Sequence, residues 1–142
     1  MKPAILFAAL PFILLLARCD NKANHSPLEF QPGKSFDMSY QDTGTCSCGD
    51  LSITFRDVVE DSRCPTGAVC VWEGQARVQL DVQSEDGAQS IELVFQASRS
   101  SFDRDTVGSY AISLLDVSPH PREGQTIEKR DYRIRLMVEE LP

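Results

Sequence analysis

The sequence predicts an all-β domain: a single antiparallel β-sandwich, or a small open barrel, of about seven strands. Three observations predict it. Apolar residues recur with a period of two in short runs, which marks strands with one buried face. Turn-forming residues separate those runs. No segment carries the 3.6-residue apolar period of an amphipathic helix. A length of 142 residues suits one such domain and leaves no room for two comfortable ones.

The elements follow in chain order. "LEFQPGKSFDMSY" places Phe36, Met38 and Tyr40 on one face. "DLSITF" places Leu51, Ile53 and Phe55 inward, with Ser52 and Thr54 outward. "QARVQLDVQ" alternates Ala76, Val78, Leu80 and Val82 with polar neighbours. "SEDGA" is a glycine-containing hairpin loop leading into "SIELVF", with Ile91, Leu93 and Phe95. The polar stretch 97–109 reads as a long flexible loop. "YAISLLDV" has adjacent Leu114 and Leu115, so a bulge is expected to rephase it. "PREGQT" is a turn, and "DYRIRLMVEE" returns to strict alternation through Tyr132, Ile134, Leu136 and Val138.

The first 18 residues stand apart. Lys2 supplies a positive start, and residues 4–17 are uncharged and mostly Leu, Ile, Phe and Ala. That run is too short for a spanning helix of ~20 residues. It fits the apolar core of a secretory signal. The following "LLLARCDNKANHSP" resembles the lipobox of bacterial lipoproteins, with Leu16, Ala17 and Cys19 in place. Arg18 departs from the Gly, Ala or Ser usual there. The resemblance implies lipidation of Cys19; the alternative is ordinary signal cleavage with Cys19 left as a free thiol. The domain plan is therefore a signal peptide over 1–18, a lipidated tether over 19–33 and a sandwich over 34–142. Asp20 resembles an inner-membrane retention signal of enteric bacteria.

Charge narrows the partners. Removing Lys2 and Arg18 from the 14 basic residues leaves 12 against 21 acidic, a net −9. A chain this acidic has no electrostatic footprint for nucleic acid. Anionic headgroups would also repel it, so membrane attachment is assigned to an acyl chain and not to a basic face. The location expected is the periplasm or cell surface.

Five cysteines are odd in number. With Cys19 lipidated, Cys46, Cys48, Cys64 and Cys70 remain, an even set that suits disulfides in an exported chain. In "DSRCPTGAVCVWEG", Cys64 and Cys70 flank the turn formers Pro65 and Gly67. A cysteine phosphatase loop would need Arg where Cys70 stands, and the spacing fits neither a CxxC redox pair nor zinc. A bridge closing the short loop is the plainer reading, with Trp72 as an apolar lid over it and Gly74 permitting close backbone approach. Asp61, Arg63, Trp72 and Glu73 form a candidate ligand loop, although Asp61 and Arg63 suit hydrogen bonds to loop backbone or to each other. An antibody-type core is disfavoured, because Trp72 follows Cys70 by only two residues.

The segment "VVEDSRCPTGAVCVWEGQARVQL" resembles one found in exported bacterial lipoproteins without an assigned activity: DSRCP, four residues, Cys, one residue, Trp, one residue, Gly. "LSITFRDV", "YAISLLDVSPHP" and "DYRIRLMV" extend the likeness over most of residues 50–138. The resemblance implies compartment and domain type and adds no mechanism.

Cys46 and Cys48 lie outside that pattern. They could close a small strained ring together, hold a soft metal such as Cu(I), or pair elsewhere. His25 falls in the tether and His120 between two prolines, and neither has a local carboxylate to orient it. No catalytic constellation and no cofactor site is expected. The function expected is a binding or interaction module of the cell envelope with no catalysis. A copper-binding or thiol-redox protein using Cys46 and Cys48 is the alternative, and a protease inhibitor presenting the "CPTGAVC" loop is a third.

Overall fold

The structure, a computed structural model, describes residues 28–98 and 103–142. Two sheets pack face to face as a sandwich that does not close into a barrel. The strands are β1 (Leu28–Phe30), β2 (Ser35–Ser39), β3 (Thr43–Cys46), β4 (Ser52–Asp61), β5 (Ala76–Ser84), β6 (Gly87–Phe95), β7 (Asp103–Val107), β8 (Tyr110–Ser118) and β9 (Arg133–Glu140). One sheet has the order β1-β3-β4-β5-β6 and the other β2-β9-β8-β7.

The alternation reads out as predicted where it is clean. Ala76, Val78, Leu80 and Val82 of β5 are buried, as are Ile134, Leu136 and Val138 of β9. They meet Ile53 and Phe55 of β4, Leu93 of β6, Met38 of β2 and Ile112 and Leu114 of β8 in one core. The regularly alternating strands β5 and β9 bury one face because mostly polar side chains occupy the other. The expected bulge lies in β8, where the register with β9 shifts between Leu114 and Asp116. It turns Val117 inward after Leu114.

Four expectations need correction. The described residues form nine strands and not about seven. They are not all antiparallel, since β1 pairs parallel with β3. β4 continues to Asp61, six residues past Phe55. Two register shifts, between Phe55 and Asp57 and between Val58 and Glu60, break its period of two and hide the second half. The stretch read as a flexible loop contains β7, whose DRDTV sequence buries only Val107. Its ladder with β8 holds it, not an apolar face.

β1 lies inside the 19–33 segment assigned to the tether. Leu28 and Phe30 lie over Gly44 of β3, where a β-carbon would approach Phe30 to 3.2 Å. Phe30 also stacks on Phe36 of β2 at 4.3 Å between ring centroids, joining the two sheets along one edge.

Candidate functional site

The segment 62–75 joins β4 to β5 at one end of the sandwich. Its base continues the ladder of those strands: Ser62 N–H donates to Gln75 O at 2.8 Å and Cys64 N–H to Glu73 O at 2.7 Å. The Cys64–Cys70 bridge then closes the tip, with the two Cα atoms 5.9 Å apart. Ala68 N–H bonds Pro65 O to complete a turn inside it. Gly74 has φ +70°, and a β-carbon there would overlap the Ser62 carbonyl. Glycine is required by both terms.

Beneath the loop, Arg63 turns inward. Its guanidinium is 4% exposed and Asp61 is 9% exposed, so the pair is buried. The planar fork places four of its five N–H donors on named acceptors. Nε bonds Asp61 Oδ1 at 2.8 Å and Nη2 bonds Asp61 Oδ2 at 2.6 Å. Nη1 donates to Val117 O and Nη2 to Pro119 O, which ties the loop to the end of β8. Tyr132 donates its hydroxyl to Asp61 Oδ2 at 2.9 Å. Burial alone would raise the Asp61 carboxyl, but the hydrogen bonds and charge of Arg63 and the Tyr132 hydroxyl outweigh it and hold it below its ordinary value. The Tyr132 phenol is pushed up to about 12 by burial first and then by Asp61.

A second clasp comes from the segment between β8 and β9. Thr66 pairs with Arg122 in a short parallel bridge, through Thr66 N–H to Pro121 O at 2.9 Å and Glu123 N–H to Thr66 O at 3.1 Å. His120 Nε2 lies 2.9 Å from Cys64 O, and a carbonyl only accepts, so the imidazole donates.

Of the four candidate ligand-loop residues, three face the protein. Asp61 and Arg63 bind each other and the backbone. Glu73 accepts from Ser98 N–H at 3.0 Å and from the Ser98 hydroxyl. Trp72 alone points outward, and it is no lid: the indole is 82% exposed. Two residues not singled out in the sequence accompany it. Val69 is 103% exposed and Val71 is 92% exposed. The signal lay in the text "AVCVW", where apolar residues bracket Cys70. A bridged cysteine next to a tight turn leaves them no strand face to share.

Cys46 and Cys48 are bonded to each other, with Cα atoms 5.0 Å apart. Cys46 is buried and Cys48 exposed. Cys48 borders a hollow of about 210 Å³ at the opposite end of the sandwich, together with Asp50, Glu85, Asp86 and Glu140. A hydrogen bond from Asp50, and then its charge, hold the Glu85 carboxyl above its ordinary value. Among the described residues no group of three or more His, Cys, Asp and Glu is arranged to hold a metal ion. Cys19 and His25 lie outside the described residues.

No family model matches the chain, and no curated protein or solved structure shows significant similarity to it.

Proposed function

We propose that this chain is an exported lipoprotein, anchored in a bacterial envelope through Cys19, whose sandwich works by non-covalent contact through the 62–75 loop. The observation that carries the reading is the pairing of exposure with rigidity. Val69, Val71 and Trp72 stand in solvent on a loop fixed by a disulfide, the Arg63 fork and a backbone bridge. A loop backbone held in this way has little conformational freedom to lose on association. The polar groups around them are already spent on holding the loop, so the reading assigns no catalytic residue. The DSRCP…CxWxG pattern is explained as the parts of this scaffold: Asp61 and Arg63 inside, the two cysteines at the neck, Trp72 outside and Gly74 at the crossing.

The test is a photo-crosslinking side chain placed at Val71 or, as control, at Glu92, which pairs with Gln79 on the outer face of the five-stranded sheet. In the cell that makes the protein, Val71 should give a discrete adduct, to lipid or protein, and Glu92 none. Equal labelling from both positions would overturn the loop as the contact surface.

The exposure of Cys48 favours a second reading, thiol exchange or Cu(I) binding by a reduced Cys46–Cys48 pair. Tight Cu(I) uptake after reduction, lost in a Cys46→Ser, Cys48→Ser variant, would support it; equal uptake by both would remove it.

A further inference from the structure

The geometry points to a bilayer interface as the partner of this loop, with Trp72, Val69 and Val71 dipping into the membrane that carries the lipid anchor. This rests on the reading of the loop as the contact surface and of Cys19 as acylated.

Shape is the first argument. A protein partner needs a complementary surface of ~800 Å² on each side, and its energetic centre is a desolvated pocket. Here three apolar side chains project from one tight loop, and none of them lines the acidic hollow or the three other hollows described among these residues. A soft interface accepts such a projection without a matching cavity, and the headgroup level is where an indole resides best.

The second argument is charge. The whole chain is acidic, and the two segments 62–75 and 119–132 at this end carry, with Asp61 that neutralises the buried Arg63, four basic and five acidic side chains. The opposite end gathers Asp50, Glu85, Asp86 and Glu140 around one hollow. A membrane surface therefore meets nearly balanced charge at the loop end and four gathered carboxyl groups at the other.

Chain direction is the third. β1 runs parallel to β3, and β3 runs antiparallel to β4, whose far end carries the loop. The backbone thus enters β1 from the loop side. Leu28 aligns through Gly44 with Ile53, whose partner Val82 lies six residues along β5 from Ala76. At ~3.3 Å per residue the base of the loop stands about 20 Å above Leu28. Nine steps separate Cys19 from Leu28. Their contour of up to ~30 Å matches, at full extension, the height of the Cys64–Glu73 pair, three residues beyond Ala76 on the same ladder and next to Trp72.

Trp72 is the one tryptophan of the chain, so its fluorescence reports the loop alone. The full chain, purified with its native modification, is reconstituted into phosphatidylcholine vesicles. Flotation reports the anchor, and Trp72 emission with acrylamide and bromolipid quenching reports the loop. We expect emission to move to shorter wavelength, acrylamide quenching to fall several-fold, and lipids brominated near the headgroup end of the acyl chains to quench. Val69→Ser with Val71→Ser keeps the reporter and should return the loop toward water by roughly tenfold. Protein that floats while Trp72 stays water-exposed overturns the membrane partner and leaves the anchored contact module standing. Protein that does not float, with Trp72 still in water, overturns both. A blue shift in solution that grows with protein concentration would assign the loop to a second copy and also overturn the proposal.

Discussion

Tyr132 gives its phenolic hydrogen to Asp61 Oδ2 at 2.9 Å, across 71 positions of sequence, and the same oxygen takes Arg63 Nη2 at 2.6 Å. The contact joins the start of β9 to the end of β4 under the exposed loop. Tyr132→Phe should therefore cost about 1–2 kcal/mol in urea unfolding, the value of one hydrogen bond to a charged acceptor that keeps its other donors. Spectrophotometric titration should lose its most alkaline tyrosine, the one that ionises near 12.

The buried ion pair responds differently to one substitution than to two. Asp61→Ala leaves the Arg63 charge buried with only two carbonyl partners, so a loss of about 3–5 kcal/mol is expected. Replacing both, as Asp61→Leu with Arg63→Met, should cost less than the single change because no charge is stranded. A double-mutant cycle by chemical denaturation measures the difference, and a double variant worse than Asp61→Ala would contradict it.

The pH dependence has two limbs with opposite signs. Asp61 sits below its ordinary value of 3.8 in the folded chain, so its contribution is complete above that pH and fades as pH falls through the lower folded value. Tyr132 sits above its ordinary value of 10.0, so its contribution is complete below pH 10 and fades as pH rises toward about 12. Stability measured against pH in Tyr132→Phe should lack the alkaline limb that the wild-type chain owes to this phenol.

Gly74 and Gly33 separate backbone conformation from crowding. Both have positive φ, +70° and +76°, but only Gly74 faces a neighbour, the Ser62 carbonyl. Gly33→Ala should cost about 1 kcal/mol for its left-handed backbone. Gly74→Ala should cost about 3 kcal/mol or more, or prevent folding, because the loop base cannot close. Similar midpoints in thermal melts of the two variants would refute the crowding argument.

Removing the Cys64–Cys70 bridge as Cys64→Ser with Cys70→Ser should lower stability by about 2 kcal/mol, the closure entropy of a short loop. The sandwich should survive, because the Arg63 fork and the Thr66–Arg122 bridge hold the loop from below. Loss of near-ultraviolet ellipticity across the whole domain would show that the bridge carries more than the loop.

Much of the fold was legible because a half-buried strand writes its two faces into alternate residues. Ile134, Leu136 and Val138 declared β9, and the doubled Leu114–Leu115 declared a bulge. The same rule failed where backbone hydrogen bonds act without an apolar face. β7 buries one residue of five, β3 offers only Gly44 and the bridged Cys46 as inward residues, and the two irregularities of β4 scatter Val58 and Val59 out of phase.

The site divides along the same line. Local chemistry in the sequence determined that Cys64 and Cys70 could join, since Pro65 and Gly67 bend the chain over a short span. It determined the all-β class, because each strand had to hide one face, and left the sandwich and the small open barrel both open; only the packing of two separate sheets decided for the sandwich. Only the tertiary structure decided which loop residues face water. Arg63 could turn inward only because the ends of β8 and β9 bring Val117 O, Pro119 O and the Tyr132 hydroxyl beneath it. With that charge satisfied inside, the loop stands on its polar side and leaves Val69, Val71 and Trp72 to the solvent.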